Sequence, residues 1–258
     1  MGQDSLLSIY KLTLQYRGSA YHGWQVQPDQ MTVQGCLNNA LSKICKSSDV
    51  RSIGSGRTDA GVHAMEQIVR VELPFAIDPL KLPKAINSSL PRDIRVLKAQ
   101  ECSESFHPIR DAKEKVYRYY FTNEQEANPI FFDHIANYSF DLDMEQIEKA
   151  LELIVGEHDF AAFQCEGTPV NSTIRTLFSA SLNRMESESL HPTGTYYFEF
   201  RGNGFLKQMV RLLVGAMWHV GRGKVEIKDL SNALEGNWVK RLGPVAPAQG
   251  LYLHSVSY

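Results

Sequence analysis

Ser8-Ile9-Tyr10-Lys11-Leu12-Thr13-Leu14-Gln15-Tyr16 alternates apolar and polar residues. Successive side chains of a strand point to opposite faces, so this period predicts a half-buried β-strand. Downstream, Thr32 stands where it can cap a helix carrying Val33, Leu37, Leu41, Ile44 and Cys45 on one face. A short strand over Arg51–Ile53, an alternating strand over Gln67–Leu73, a helix over Pro79–Asn87 and a strand over Ile94–Ala99 follow. The order is β-α-β-β-α-β, the split pattern of ferredoxin-like units. It then recurs. Lys115–Thr122 reads as a tyrosine-rich strand, and Asp143 caps a helix with Gln146 at the capping-box position. The apolar stripe of that helix is Met144, Ile147, Leu151, Ile154 and Val155. Thr173–Arg184 and Thr195–Arg201 form a predicted hairpin, Phe205–Val220 a helix, Ile227–Leu234 a small extra helix and Leu251–Val256 a last strand. The halves share element order with little residue-level similarity. The boundary falls near Ser103–Pro108, which predicts domains over 1–104 and 105–258. The expected class is α+β: two ferredoxin-like halves joined through a central sheet with a cleft between them.

The chain has 258 residues, 43% of them hydrophobic and 22% charged, so it can bury a core without staples. With 27 basic and 29 acidic residues, net charge −2, any nucleic-acid contact must come from a local basic surface. Cys36, Cys45, Cys102 and Cys165 have neither CxxC nor metal-ligand spacing, so they read as reduced thiols of a cytoplasmic protein, with no metal site. Met1-Gly2-Gln3-Asp4-Ser5 lacks a signal peptide's basic and apolar regions, and no apolar run is long enough for a membrane span. The sequons at Asn87, Asn137 and Asn171 are then chance matches.

Chemistry concentrates in Gly54-Ser55-Gly56-Arg57-Thr58-Asp59-Ala60-Gly61-Val62-His63-Ala64. A carboxylate stands among three glycines, residues that permit positive φ and close approach of another molecule. The spacing fits neither G-x-G-x-x-G nor G-x-x-x-x-G-K-[ST], which excludes the usual nucleotide loops. His63 reads as packing or a backbone hydrogen bond, and Trp24 as a core anchor. On the helix from Phe205, Arg211 lies among apolar residues with no acid along its own turns, so a buried guanidinium there needs an anion from elsewhere. Asp59 is the candidate. Arg201, Lys207, Arg211, Arg222 and Lys224 make a basic run that fits a solvated face or a phosphate-binding wall. On the strand from Lys115, Tyr117, Tyr119 and Phe121 share one face. Tyr119 and Phe121 read as core, and Tyr117 as core or as a stacking platform for a base. The acidic stretch Asp141–Asp159 reads as a solvated face.

Arg57-Thr58-Asp59-Ala60-Gly61-Val62-His63 closely resembles the signature of the TruA-type tRNA pseudouridine synthases. Tyr21-His22-Gly23-Trp24-Gln25, Val33-Gln34, Phe106-His107, Val116-Tyr117-Arg118-Tyr119, Gly204-Phe205, Met209-Val210-Arg211, Val214-Gly215 and Gly250-Leu251-Tyr252-Leu253 fall in the family's order. The resemblance implies a tRNA uridine isomerase acting on the anticodon stem-loop at positions 38, 39 and 40, a homodimer, and no metal or organic cofactor. It implies that Asp59 is the essential nucleophile, Arg211 its paired arginine, Arg57 a residue that helps flip the nucleotide, Tyr117 a stacking partner of the uracil and Leu251 an apolar neighbour of the base. Phe106, His107, Arg110 and Lys207 fall at positions expected to touch RNA. Phe106-His107-Pro108-Ile109-Arg110 departs from the common Phe-His-Ala-Arg, Lys207 replaces an arginine of some relatives, and Gln249 stands where glutamate is common.

Pseudouridine forms when the C1′–N1 bond breaks, the base turns and C1′ joins C5. The base must first leave its stack, at a cost of a few kcal/mol. Arg57 would fill the vacated space. Asp59 must be ionised, which an adjacent Arg211 favours. It attacks C1′ or C6, or removes the C2′ proton; the sequence leaves these three routes open. Tyr117, with an ordinary phenol pKa near ~10, would need a relay or a shifted environment to take the C5 proton. The competing class is a non-catalytic, paired ferredoxin-like RNA-binding protein whose glycine loop is structural only.

Overall fold

The computed structural model describes residues 7–165, 167, 170–185, 194–238 and 240–258, so the amino-terminal reading of residues 1–5 lies outside the described residues. Contacts between Cα atoms divide the chain into two units, Met1–Lys113 with Leu253–Tyr258, and Glu114–Tyr252.

The first unit runs β1 (Ser8–Tyr16), α1 (Val33–Cys45), β2 (Arg51–Gly54), β3 (His63–Leu73), α2 (Leu82–Asn87) and β4 (Ile94–Glu101). β1 is central and antiparallel to both β3 and β4, and β2 pairs with β3. Tyr10, Leu12, Leu14 and Tyr16 are buried while Lys11, Thr13 and Gln15 between them are half-exposed, as the period predicted; Ile9 on that second face is buried as well. Thr32 caps α1, accepting from the Gly35 N–H at 3.2 Å. Leu37 and Leu41 are fully buried beneath it, worth about 2 kcal/mol each. β3 begins at His63, four residues before the predicted start. A register shift between Leu14 and Tyr16 brings Ala64 opposite Tyr16 and breaks the simple alternation there. α2 starts at Leu82 with proline in its first turn, because Asp78 holds the preceding residues in a turn through Leu80 N–H (2.9 Å) and Lys81 N–H (2.9 Å).

The second unit runs β5 (Glu114–Thr122), β6 (Ala136–Asn137), α3 (Met144–Leu153), β7 (Gly156–Asp159), β8 (Ile174–Arg184), β9 (Thr195–Gly202), α4 (Met209–Gly221), α5 (Ile227–Leu234) and the start of β10 (Leu251–Ser257). Its strands lie in the order β5-β9-β8-β7, all antiparallel neighbours. Asp143 caps α3 through the Gln146 N–H at 3.1 Å. The buried stripe of α3 is Ile147, Ala150 and Leu151, continued by Ile154; Val155 lies beyond the helix and is exposed. β7, Gly-Glu-His-Asp, has no apolar alternation and was not predicted; pairing with β8 makes it a strand. α4 begins at Met209 and not at Phe205, because Gln208 takes a left-handed φ of +62°. Trp218 of α4 is 1% exposed, stacked on Tyr138 at 4.1 Å and set edge-on to Tyr119 and Phe121, each at 5.6 Å. Tyr119 and Phe121 are core residues, as expected.

Candidate active site

Asp59 sits in a loop fastened on both sides. On the β2 side, Ser55 N–H donates to the Ile68 carbonyl (2.7 Å), Ser55 Oγ donates to Gln67 Oε1 (2.6 Å), and Gln67 Nε2 donates to the Gly56 carbonyl (2.7 Å). Thr58 Oγ1 is hydrogen-bonded to the Tyr16 hydroxyl at 2.9 Å, and burial holds that phenol above its ordinary range. The Thr58 carbonyl accepts from Trp24 N–H at 3.1 Å. Past Asp59, Val62 N–H donates to the Asp59 carbonyl (3.2 Å) and Gly61 N–H to the Tyr21 carbonyl (3.2 Å). His63 is buried and its Nδ1 accepts from Gly18 N–H at 3.1 Å, the backbone role expected of it. Thr58 and Val62 are buried, Asp59 is half-buried and Arg57 is exposed. The loop therefore spends its backbone and neutral side chains on a frame that holds Asp59 and Arg57 in place.

The three loop glycines serve different purposes. Only Gly61 takes a positive φ, +80°. Gly54 is needed for space: a Cβ there would lie 2.6 Å from Trp24 Cε2. Trp24 is accordingly buried against β2, a core anchor. Across the loop, a Cβ on Gly23 would lie 2.5 Å from the Thr58 carbonyl oxygen, and one on Gly18 1.9 Å from that of Val62. Of the freedoms these glycines permit, positive φ is used at Gly61, and Gly54 serves close packing.

Phe106, His107 and Arg110 share one turn of the same unit. His107 Nδ1 accepts from Ile109 N–H (3.2 Å) and Arg110 N–H (3.3 Å). Asp111 Oδ2 accepts from His107 N–H at 2.8 Å, which closes the turn. The Phe106 ring meets Tyr258 edge-on at 5.1 Å, with Lys11 Nζ 5.8 Å from its centroid. Tyr258 donates to the Pro108 carbonyl at 2.9 Å; burial raises its phenol pKa and a hydrogen bond with Ser55 opposes the rise. The final residue thereby ties the 106–111 turn to the start of the Asp59 loop. Sequence reasoning passed over Tyr258, which carries no motif. Arg110 is exposed.

Tyr117, Lys207, Arg211 and Leu251 belong to the second unit. Arg211 is half-buried on α4, its Nε donates to the Ala246 carbonyl at 2.7 Å, and Ala246 N–H returns a bond to the Arg211 carbonyl at 3.1 Å. The Tyr119 hydroxyl donates to the next carbonyl, that of Pro247, at 2.9 Å. Burial pushes the Tyr119 phenol well up, and the Arg211 charge pulls it back. A Cβ on Gly215 would strike the Pro244 carbonyl oxygen at 1.8 Å, and one on Gly243 the Gly215 carbonyl oxygen at 2.2 Å. Residues 243–247 therefore form a strap laid directly on α4, and the strap fixes the guanidinium. It was missed in the sequence; the pair Gly215 and Gly243-Pro244 was its signal. Tyr117 is buried, edge-on to Phe205 at 4.9 Å, and Leu251 is buried at the start of β10. Lys207 is exposed.

The basic run from Arg201 to Lys224 is not one wall. Arg201 is bonded to both carboxylate oxygens of Glu114 at 3.0 Å. Arg222 lies 3.6 Å from the Phe140 ring centroid. The acids of the 141–159 stretch are mostly exposed, as expected, with Asp143 employed as a cap. No helix among the described residues is long and apolar enough to cross a membrane.

Comparison with known proteins gives this arrangement a context. The family model described as tRNA pseudouridine synthase matches residues 13–109 and 150–258. The chain belongs to that family. It is 40% identical over 248 residues to tRNA pseudouridine synthase A of Geobacillus sp. (strain WCH70), covering 96% of this chain and 97% of the relative. It is 39% identical over 252 residues to the protein of that name from Lacticaseibacillus casei (strain BL23), covering 98% and 100%. A solved Cbf5-Nop10-Gar1 complex aligns with 94% of this chain and 57% of its own at 10% identity, with a TM-score of 0.34. The family is one of uridine-to-pseudouridine isomerases, so the chain is an enzyme of that class. Of the candidate residues, Arg57, Asp59, Phe106, His107, Lys207, Arg211 and Leu251 fall inside the blocks matched by the pseudouridine synthase model, and Arg110 and Tyr117 fall between them.

Proposed function

We propose that this chain isomerises uridine to pseudouridine in the anticodon stem-loop of tRNA, at positions 38, 39 and 40, with Asp59 as the reacting carboxylate. The observation that carries the reading is the Asp59 loop: its backbone and neutral side chains are bonded into the fold on both sides, which fixes the place of the half-buried carboxylate beside the exposed Arg57. A frame already fixed before substrate arrives is what a reaction governed by positioning requires.

In this reading the target uridine leaves its stack and Arg57 takes its place. Asp59 then attacks C1′ or C6, or takes the C2′ proton. The C1′–N1 bond breaks, the uracil turns, C1′ bonds to C5, and the C5 proton is lost as N1 gains one. Atoms and electrons balance within one nucleotide, so the reading calls for no metal or organic cofactor. Arg211, oriented by the Ala246 carbonyl, serves as the arginine paired with Asp59. Tyr117 stacks on the uracil, Leu251 packs near it, and Phe106, His107, Arg110 and Lys207 contact RNA. The element orders of the two units support two ferredoxin-like halves, with domains over 1–104 and 105–258. The same reading makes the protein a cytoplasmic homodimer.

Mapping pseudouridines in tRNA from cells with and without this protein tests the function. Loss of the modification at positions 38–40 alone is the expected result; an unchanged map refutes the assignment. Sedimentation at micromolar concentration tests the dimer, and a mass of one chain contradicts it.

A further inference from the structure

Eight polar side chains are buried among the described residues, and four of them, Ser55, Thr58, His63 and Gln67, lie in or against the Asp59 loop. Gln67 is the least expected of the four. It stands on the inward face of β3, paired with Leu14 and followed on the same face by Val69, Val71 and Leu73, all of them buried. It has no exposed surface. An amide in such a row costs free energy unless its bonds are made. Those bonds go to the loop. Nε2 donates to the Gly56 carbonyl (2.7 Å), and Oε1 accepts from Ser55 Oγ (2.6 Å). The amide is also bonded to the Tyr16 hydroxyl, which is bonded in turn to Thr58 Oγ1 at 2.9 Å. Gln67 thus reaches the residues on both sides of Arg57, and Thr58 adjoins Asp59.

The chemistry of this grip is narrow. A group placed here must donate toward Gly56 and accept from Ser55 at once. A thioether of similar length cannot donate, and it strips the Gly56 carbonyl of that bond. A carboxyl does both while it holds its proton. Once ionised it has acceptors only, one of them facing the Gly56 carbonyl.

We propose that Gln67 is a positioning residue of the isomerisation: directly through Ser55 and Gly56, and through Tyr16 and Thr58, it sets the place from which Arg57 and Asp59 act. The proposal rests on the reading above, in which Asp59 is the reacting carboxylate. It gives Gln67 no contact with RNA, so loss of the grip is felt in the rate of the bound complex and not in affinity.

Single-turnover tritium release from C5-labelled uridine in a tRNA transcript, with tRNA affinity and urea unfolding measured alongside, tests it. Gln67→Met is expected to slow the bound complex by about tenfold to a hundredfold, as a misplacement of up to about 1 Å does, with affinity within about twofold of wild type. Asn87→Ala is the control. It removes an amide on α2 that bonds both backbone groups of Val96, and is expected to lose stability without losing rate. Gln67→Glu adds a readout that lost stability alone does not move. Burial raises a carboxyl above its ordinary ~4.3 by up to about 3–5 units. Below the raised value the protonated group replaces the amide; above it the donor is gone. The rate of this variant relative to wild type is therefore expected to fall as pH rises between about 6 and 9, by up to about tenfold per pH unit. Circular dichroism at each pH confines the comparison to folded protein. Where neither Gln67 variant folds, Tyr16→Phe, which drops the bond to Thr58, is expected to slow the rate at unchanged affinity. A folded Gln67→Met protein as fast as Asn87→Ala, a flat ratio of Gln67→Glu to wild type, or, in that last case, a wild-type rate in Tyr16→Phe overturns the role. Any of these leaves the enzyme assignment intact if the wild type forms pseudouridine, whereas a wild type that forms none removes the function itself.

Discussion

Replacing Gly18 with alanine probes the frame that positions Asp59 without touching any group assigned to RNA or chemistry. The new Cβ would lie 1.9 Å from the Val62 carbonyl oxygen and 2.5 Å from its carbon. One segment must therefore retreat by roughly 1.5 Å, the shortfall between 1.9 Å and the 3.4 Å at which ordinary contact begins. Val62 is bonded to Asp59 through its N–H, and Gly18 N–H is bonded to His63, so the retreat moves the turn that holds the carboxylate. A displacement of about 1 Å costs a positioned reaction about 10²-fold. The expected result is a kcat lower by about two orders of magnitude, a KM for tRNA within a fewfold of wild type, and a stability loss of about 1–3 kcal/mol. Tritium release from C5-labelled uridine in a tRNA transcript, at saturating enzyme, reads the rate; urea unfolding reads the stability. Gly223→Ala is the companion variant: φ is +65° with nothing within 4 Å of the added Cβ, so it strains the backbone by about 1–2 kcal/mol and leaves the rate unchanged. A folded Gly18→Ala protein as fast as Gly223→Ala would refute the positioning argument.

Three further changes separate support from chemistry. Arg211→Lys keeps the charge but loses the rigid fork that lets Nε grip the Ala246 carbonyl, so single-turnover release is expected to slow more than tenfold with little loss of stability; a wild-type rate contradicts the role of the strap. Tyr119→Phe removes the bond to the Pro247 carbonyl and is expected to cost about 1 kcal/mol in urea unfolding, with a smaller rate effect than Arg211→Lys; no change in stability would show the strap to be held elsewhere. Asn87→Ala strips a side-chain amide that both donates to the Val96 carbonyl and accepts from its N–H, each at 2.8 Å, so about 1–3 kcal/mol should be lost while the rate holds; a stability equal to wild type contradicts this.

What could be read in advance depended on how local its cause was. β1 and α5 have the predicted bounds, and the caps at Thr32 and Asp143 make the predicted bonds, since alternation, helical period and capping are properties of a few neighbouring residues. The early start given to α4 has the opposite origin. Phe205 continues the apolar period because it packs on Tyr117, while the left-handed Gln208 begins the helix four residues later. β7 is a strand through its partner β8, and no pattern in Gly-Glu-His-Asp announces it. At the site, Asp59 and Arg57 stood out because charge in a glycine loop is rare. Their framing by Gly18, Tyr16 and Gln67 comes from residues on other elements. Gly54 shows the limit plainly: a glycine's freedom of φ is legible in the sequence, but its use here as a seat for Trp24 depends on a residue far off in the chain.

The most direct measurement is C5-tritium release and pseudouridine formation in tRNA by wild type and Asp59→Asn, with tRNA affinity measured alongside. Release by the wild type and none by a variant that still binds tRNA is the predicted result. Equal release by the two proteins would take the reaction away from this carboxylate.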